Sequence, residues 1–350
     1  MIIALDATPL TGWTGGVLRY TLELATALAK ESPEDQYWLL SDQPFPHPRG
    51  RVQCASIPSR RWWSWGLPRA LGRLRADVFH GTDFAVPYAP LRPSVLTLHD
   101  LSPWLDPAWQ PDARRVRRRT PVLLRTGVAT MVITPSEAVR RAAIDRFGLR
   151  PERVVAIPLA AANHFRPVEA PPPVTPYFLF VGTLEPRKNI HRLIEAWHEV
   201  RKRRNVDLVL AGRVRADYAP PRPEAGLRLL GAVAEEELPA LYSSATGVVY
   251  PSLYEGFGLP VLEAMQCGAL VITSRDPAIA EVAGESAAVH VDAADTSALA
   301  HALAAAFEVP ENFSAMRERA RKRAGAYTWA RTARLTREVY DAAVRVFPFS

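Results

Sequence analysis

Cysteine is almost absent from these 350 residues, with Cys54 and Cys267 the full complement. Two thiols are too few for a zinc site or a disulfide framework, which makes the cytoplasm the default compartment. No apolar run approaches the length that crosses a bilayer. The opening Met1-Ile2-Ile3-Ala4-Leu5-Asp6 has neither a basic leader region nor a long apolar stretch, so it reads as a first buried strand and not as a signal peptide. The G-x-G-x-x-G spacing is missing from both candidate first-strand turns, and with it the fingerprint of a dinucleotide site.

What is present is a chain that is 48% hydrophobic and 23% charged, the composition of a soluble globular protein. Its length suits two domains, each with its own core. The net charge of +7 is unevenly placed. Residues 1–175 hold 22 Lys and Arg against 15 Asp and Glu, whereas residues 176–350 hold 21 of each. The excess sits in the first half, which predicts an anionic partner there.

Strand-like and helical runs alternate along the chain as in βαβ units. In the first half a strand over 2–6 leads through a glycine-rich turn, 11–17, to a helix ending near Lys30. Runs at 77–80 and 94–98 read as further strands, the first ending in His80 and the second followed by His99 with Asp100. Residues 58–75 combine Trp62, Trp63 and Trp65 with five arginines. That mixture suits a membrane–water interface, a saccharide-stacking surface, or a loop whose tryptophans tuck into the core. A helix over 111–128 carries Arg114, Arg115, Arg117, Arg118, Arg119 and Arg125. Arginines at consecutive positions point around a helix, so no single stripe is expected. They suit anionic lipid, a lipid diphosphate or plain solvent. No nucleic-acid-binding motif accompanies them.

A proline-rich stretch, 166–176, divides the chain. The expected boundaries are 1–168 for the first domain, 169–176 for a stiff linker, 177–327 for the second domain and 328–350 for a closing helix. The second domain's first strand runs into Gly182-Thr183-Leu184-Glu185-Pro186-Arg187-Lys188-Asn189. Arg187 and Lys188 fall at a strand-to-helix turn, where a diphosphate would lie.

The densest pattern is Tyr250-Pro251-Ser252-Leu253-Tyr254-Glu255-Gly256-Phe257-Gly258-Leu259-Pro260-Val261-Leu262-Glu263, followed by helix and Gly268. It reads as strand, loop, helix, strand, with a polar loop at the strand's carboxyl end, where α/β sheets bind ligands. Gly256 and Gly258 let backbone N–H groups approach a ligand, and a helix start suits phosphate. Glu255 and Glu263 can each accept two hydrogen bonds from a diol. Together these features describe a nucleotide-sugar site.

This stretch resembles the signature of retaining glycosyltransferase family 4, and the G-T-L-E-P-R-K-N turn resembles a subgroup containing many mannosyltransferases. The resemblance implies a GT-B fold, with two Rossmann-like doubly wound parallel-sheet domains facing a cleft. The first domain would bind the acceptor and the second the donor, and the last helix would return to the first domain. It implies that Lys188 neutralises the leaving diphosphate, Glu255 holds hydroxyls of the transferred sugar, Glu263 holds the ribose, and His99 touches the sugar. Gly15 and Gly16 would lie against the donor's phosphates. Thr183 stands where many members have arginine, with Arg187 as its candidate substitute; Phe257 and Leu259 would complete the donor loop together with Gly256 and Gly258.

The reaction implied is transfer of a hexose, mannose from GDP-mannose ahead of UDP-sugars, to a glycan or lipid-linked saccharide in cell-surface polysaccharide assembly. No cofactor is implied. Asp-x-Asp is absent from the chain, so activity without added metal is expected. Trp62, Trp63, Trp65, Arg114, Arg115 and Arg118 are candidates for acceptor or membrane contact, which would make the protein cytoplasmic and peripheral on the membrane. Two other readings are an inactive membrane-associated saccharide-binding protein and a dinucleotide-dependent oxidoreductase.

Overall fold

The first strand, Ile2–Asp6 (β1), is buried from Ile3 onward, as in a sheet covered on both faces. It belongs to a seven-stranded parallel sheet with Gln36–Ser41 (β2), Gln53–Ser56 (β3), Val78–Gly81 (β4), Ser94–Thr97 (β5), Met131–Thr134 (β6) and Val154–Ala156 (β7). Its order is β3-β2-β1-β4-β5-β6-β7. The connecting helices are Gly16–Glu31 (α1), Leu67–Leu74 (α2), Ser102–Leu105 (α3), Arg114–Arg125 (α4) and Glu137–Phe147 (α5). The computed structural model describes residues 1–12, 15–48, 50–169 and 171–347. Trp13 and Thr14 of the glycine-rich turn, Ala170 of the proline-rich stretch and the last three residues lie outside that set.

Helix α4 shows how local chemistry adjusts to sequence. Pro121 sits inside it and removes the N–H that would reach the Arg117 carbonyl. The indole N–H of Trp104 donates to that carbonyl instead, at 3.3 Å.

A second parallel sheet contains Tyr177–Val181 (β8), Asp207–Ala211 (β9), Leu227–Gly231 (β10), Gly247–Tyr250 (β11), Val271–Ser274 (β12) and Val289–Val291 (β13), in the order β10-β9-β8-β11-β12-β13. Its helices are Ile190–Arg201 (α6), Leu238–Ser244 (α7), Leu259–Gln266 (α8), Pro277–Ala283 (α9), Thr296–Glu308 (α10) and Ser314–Ala324 (α11). Two compact units result: Met1–Ala160 together with the chain from Thr328, and Ala161–Tyr327. Both are Rossmann-like. In each, the strand order reverses beside the first strand, between β1 and β4 and between β8 and β11. Such switch points leave a crevice at the strands' carboxyl ends.

The last helix, Trp329–Val346 (α12), packs on α1, β4, β5 and β6 of the first unit. Its Thr332 hydroxyl donates to the Pro158 carbonyl at 2.7 Å, and its Tyr340 hydroxyl meets Nδ1 of His80 at 2.7 Å. The other His80 nitrogen meets the Thr97 hydroxyl at 2.7 Å, and Thr97 in turn meets Tyr20 at 2.9 Å. Burial pushes His80 down to about 3, so the ring is neutral and acts as a buried tie between helix and sheet.

Candidate functional site

At the second unit's switch point two loops interlace, one after β8 and one after β11. The β8 loop passes close to the loop after β9. A Cβ on Gly212 would lie 1.9 Å from the Gly182 carbonyl oxygen, so only glycine lets these two backbones cross there. Pro186–Lys188 then forms a tight turn before α6. The Leu253 N–H donates to the Arg187 carbonyl at 2.8 Å, and the Asn189 amide donates to the Pro251 carbonyl at 3.3 Å. These bonds fasten the turn bearing Lys188 to the loop bearing Glu255.

The side chains meet in a buried ionic cluster. The Lys188 ammonium donates to a Glu255 carboxylate oxygen and to the Tyr250 hydroxyl, the latter at 2.5 Å. It also lies 4.7 Å from the centre of the Tyr250 ring, which stacks on Phe180. The second Glu255 oxygen accepts from Arg187 at 2.8 Å. Burial alone would raise the Glu255 carboxyl, but the Arg187 guanidinium and the Lys188 ammonium outweigh it and hold the carboxyl at about 2. The Glu255 N–H donates to Asp276 at 3.2 Å, and Asp276 also caps the start of α9.

Gly258, at φ 96, provides the left-handed turn that lets α8 begin at Leu259, with Pro260 in the first turn. Gly256 and Phe257 are buried beside it, and Phe257 packs edge-on against Tyr327. Glu263 lies in the second turn of α8 and is only 2% exposed; its carboxylate accepts from the Tyr242 hydroxyl of α7 at 2.9 Å. Thr183 is exposed at the end of β8. Of the donor residues expected in this unit, the structure joins Lys188, Arg187 and Glu255 directly. Glu263 is held separately by Tyr242. Sequence reasoning did not single out Tyr250 or Asp276 as partners of this cluster. The tyrosine ending an otherwise aliphatic Gly-Val-Val-Tyr strand was a signal for the first, and the Asp-Pro opening of α9 for the second.

In the first unit, Gly15 precedes and Gly16 opens α1, both exposed. His99 follows β5 and is half-buried, with its ring edge-on to Tyr20 at 4.9 Å. Its Nε2 meets the Thr82 carbonyl at 2.7 Å. A carbonyl can only accept, so Nε2 carries the proton, and Nδ1 is the nitrogen able to accept.

Two expectations for the surface need correction. Trp62 is 4% exposed, locked in a wide turn of π-helix, Trp62–Gly66, where a Cβ on Gly66 would touch its ring at 2.9 Å. It is a core residue and cannot meet a membrane or an acceptor. Trp63 packs edge-on against Phe79, and Trp65 is the exposed member of the three, at 69%. The arginines of α4, by contrast, do gather on one face. Arg114, Arg115, Arg118 and Arg119 border an open concavity of about 1090 Å³ with Tyr88 and the exposed Val122. Spacings of three and four residues bring them together, while Arg117 turns away to the carbonyls of Gln110 and Pro111. Among the described residues, no three His, Cys, Asp or Glu side chains gather as a metal site, and no helix is long and apolar enough to cross a membrane.

Comparison with known proteins gives the site a context. Residues 163–323 match the family model described as "Glycosyl transferases group 1", and residues 14–161 match "Glycosyltransferase Family 4". The chain is 33% identical over 267 residues to the O-antigen chain mannosyltransferase B of Escherichia coli, covering 70% of this chain and 68% of that one. Among solved structures it is similar to a sucrose-phosphate synthase from Thermosynechococcus elongatus, with a TM-score of 0.78, 20% identity, and 97% and 98% of the two chains covered. It is also similar to HepE from Anabaena in complex with UDP and glucose, with a TM-score of 0.73, 17% identity, and 98% and 100% covered.

Proposed function

Because the chain belongs to glycosyltransferase family 4 and has its GT-B fold, we propose that it is a retaining hexosyltransferase that moves mannose from GDP-mannose to a glycan or lipid-linked saccharide. The bond from the anomeric carbon to the diphosphate breaks, and a bond to an acceptor hydroxyl forms on the same face. The acceptor's proton passes to the departing phosphate oxygen. The observation that carries the reading is the buried meeting of Lys188, Glu255 and Tyr250 at the second unit's switch point.

In this mechanism Lys188 offsets charge that develops on the diphosphate, aided by the N–H groups at the start of α8. Glu255 holds hydroxyls of the hexose, and Glu263, braced by Tyr242, holds the ribose diol. Gly256, Phe257, Gly258 and Leu259 form the wall of the donor loop, and Thr183 supplies a hydroxyl near the phosphates. Gly15 and Gly16 leave backbone N–H groups accessible to phosphate, and His99 contacts a sugar hydroxyl through Nδ1. Both Glu255 oxygens are engaged by cations, which disfavours this carboxylate as a covalent nucleophile and supports retention guided by the phosphate. The mannosyl donor and a place in polysaccharide assembly are supported by the likeness to the Escherichia coli O-antigen enzyme. The arginine face of α4 supports a peripheral, cytoplasmic position on an anionic membrane.

The test is to supply GDP-mannose with mannosylated oligosaccharides, in chelator, and follow GDP release and product stereochemistry by NMR. An α-linked product formed without metal is expected. A β-linked product, or a strict need for divalent metal, contradicts the mechanism. The exposed Thr183 favours one other reading, a saccharide binder without turnover, which would show sugar binding and no GDP release.

A further inference from the structure

The sequence expectation set Arg187 beside Lys188 as a diphosphate ligand, in place of the arginine missing at 183. The geometry separates the two cations. Arg187 is held at its backbone carbonyl and at its guanidinium. Its carbonyl accepts from Leu253, and its Nη1 donates to the Tyr254 carbonyl at 3.0 Å and to Glu255 at 2.8 Å. Its Nε lies 2.7 Å from Glu185. Glu185 in turn pairs with Arg215 at 3.3 Å, and Arg215 is itself fixed by Asp217. Lys188 has one carboxylate partner and one phenol, on a flexible stem that can swing.

Glu255 is buried, so it needs a cation at all times. If both cations moved to an arriving diphosphate, that need would go unmet. We infer that Arg187 is a positioning residue that stays on Glu255 and fixes its carboxylate for the donated hexose, while Lys188 exchanges Glu255 for the diphosphate. The exchange frees one Glu255 oxygen to accept a sugar hydroxyl only when the phosphates are in place. The chain Asp217–Arg215–Glu185 braces Arg187 from behind. This inference rests on the donor-site reading proposed above.

Calorimetry with GDP separates the roles. Arg187→Ala is expected to weaken GDP by about tenfold or more, because Lys188 then cannot leave Glu255 without baring a buried carboxylate, whereas in a Glu255→Gln background the same substitution should change GDP affinity by less than about threefold. Arg187→Lys should recover part of that loss. Lys188→Met is expected to weaken GDP itself by about tenfold or more. Glu185→Gln keeps Arg187 and loosens its brace; it should repeat the Arg187→Ala pattern in weaker form, and it carries the test if Arg187→Ala does not fold. A loss of GDP affinity from Arg187→Ala that persists undiminished in the Glu255→Gln background would overturn the inference and make Arg187 a phosphate ligand. Failure of the wild type to bind either GDP or UDP would overturn the donor-site reading itself, and this inference with it.

Discussion

Lys188 is buried against Tyr250, its ammonium 2.5 Å from the phenol oxygen and above the same ring, while it also pairs with Glu255. A cation in this position is costly to isolate, so the pair should behave as a unit. Lys188→Met alone leaves Glu255 with only Arg187, and Glu255→Gln alone leaves Lys188 with a phenol. Each is expected to lower stability by up to about 3–5 kcal/mol. The double variant should recover much of that loss while staying inactive. Urea unfolding of all four proteins checks this; strictly additive losses would show that the two charges are not coupled.

Acid should expose the same pair from another side. The Glu255 carboxyl is held at about 2 against an ordinary 4.5. Its contribution to stability is therefore present above pH 4.5 and lost as pH falls from there through 2. Asp6 has the opposite sign. Burial pushes it up to about 7 from 3.8, so its contribution is present below 3.8 and lost as pH rises through 7. Asp6→Asn should flatten the decline in melting temperature between pH 5 and pH 8, because the amide keeps an acceptor for the Thr8 N–H. An unchanged slope would show that Asp6 does not titrate in that window.

The tie between His80 and Tyr340 predicts a purely structural effect. Tyr340→Phe removes the hydroxyl from a fully buried imidazole. Leaving that nitrogen unpaired should cost about 1–3 kcal/mol. Thermal melts should show the loss, while turnover measured well below the transition stays near wild type. A melting temperature equal to the wild type's would mean that the ring finds another partner.

Much of this was legible in the sequence, and the exceptions have physical causes. Lys188 and Glu255 stand in turns whose proline and glycine residues announce strand-to-helix junctions at the ligand-binding end of a sheet. Arg215 could not be placed with them, because its partnership with Glu185 depends on two loops from neighbouring strands meeting in space. Strand β3 carries only Gln-Cys-Ala-Ser and is half-exposed, so no apolar run marks it. Trp62 misled because composition does not report burial: tryptophans among arginines look interfacial until the wide turn that hides one of them is known. The α4 arginines misled in the other direction. Consecutive positions diverge, yet 114, 115, 118 and 119 together fill one arc of the helix.

That arc predicts salt-sensitive binding to anionic vesicles. Sedimentation with phosphatidylglycerol-containing vesicles at low salt should retain the wild type, with each arginine contributing about 1 kcal/mol. Replacing Arg114, Arg115, Arg118 and Arg119 by glutamate should release it, as should salt near 1 M, where screening acts over about 3 Å. Equal binding by the variant, or no binding by the wild type, would remove the membrane role from this face.

The most direct test of the central claim is thermal shift across GDP, GDP-mannose, UDP, UDP-glucose and NAD. A ligand held by the folded chain raises the melting temperature with the logarithm of its concentration over its dissociation constant. The account predicts a shift with GDP, a larger one with GDP-mannose, and little with UDP-sugars or NAD. A shift with UDP-glucose and none with GDP-mannose would contradict the donor assignment, and no shift with any nucleotide would contradict the transferase mechanism.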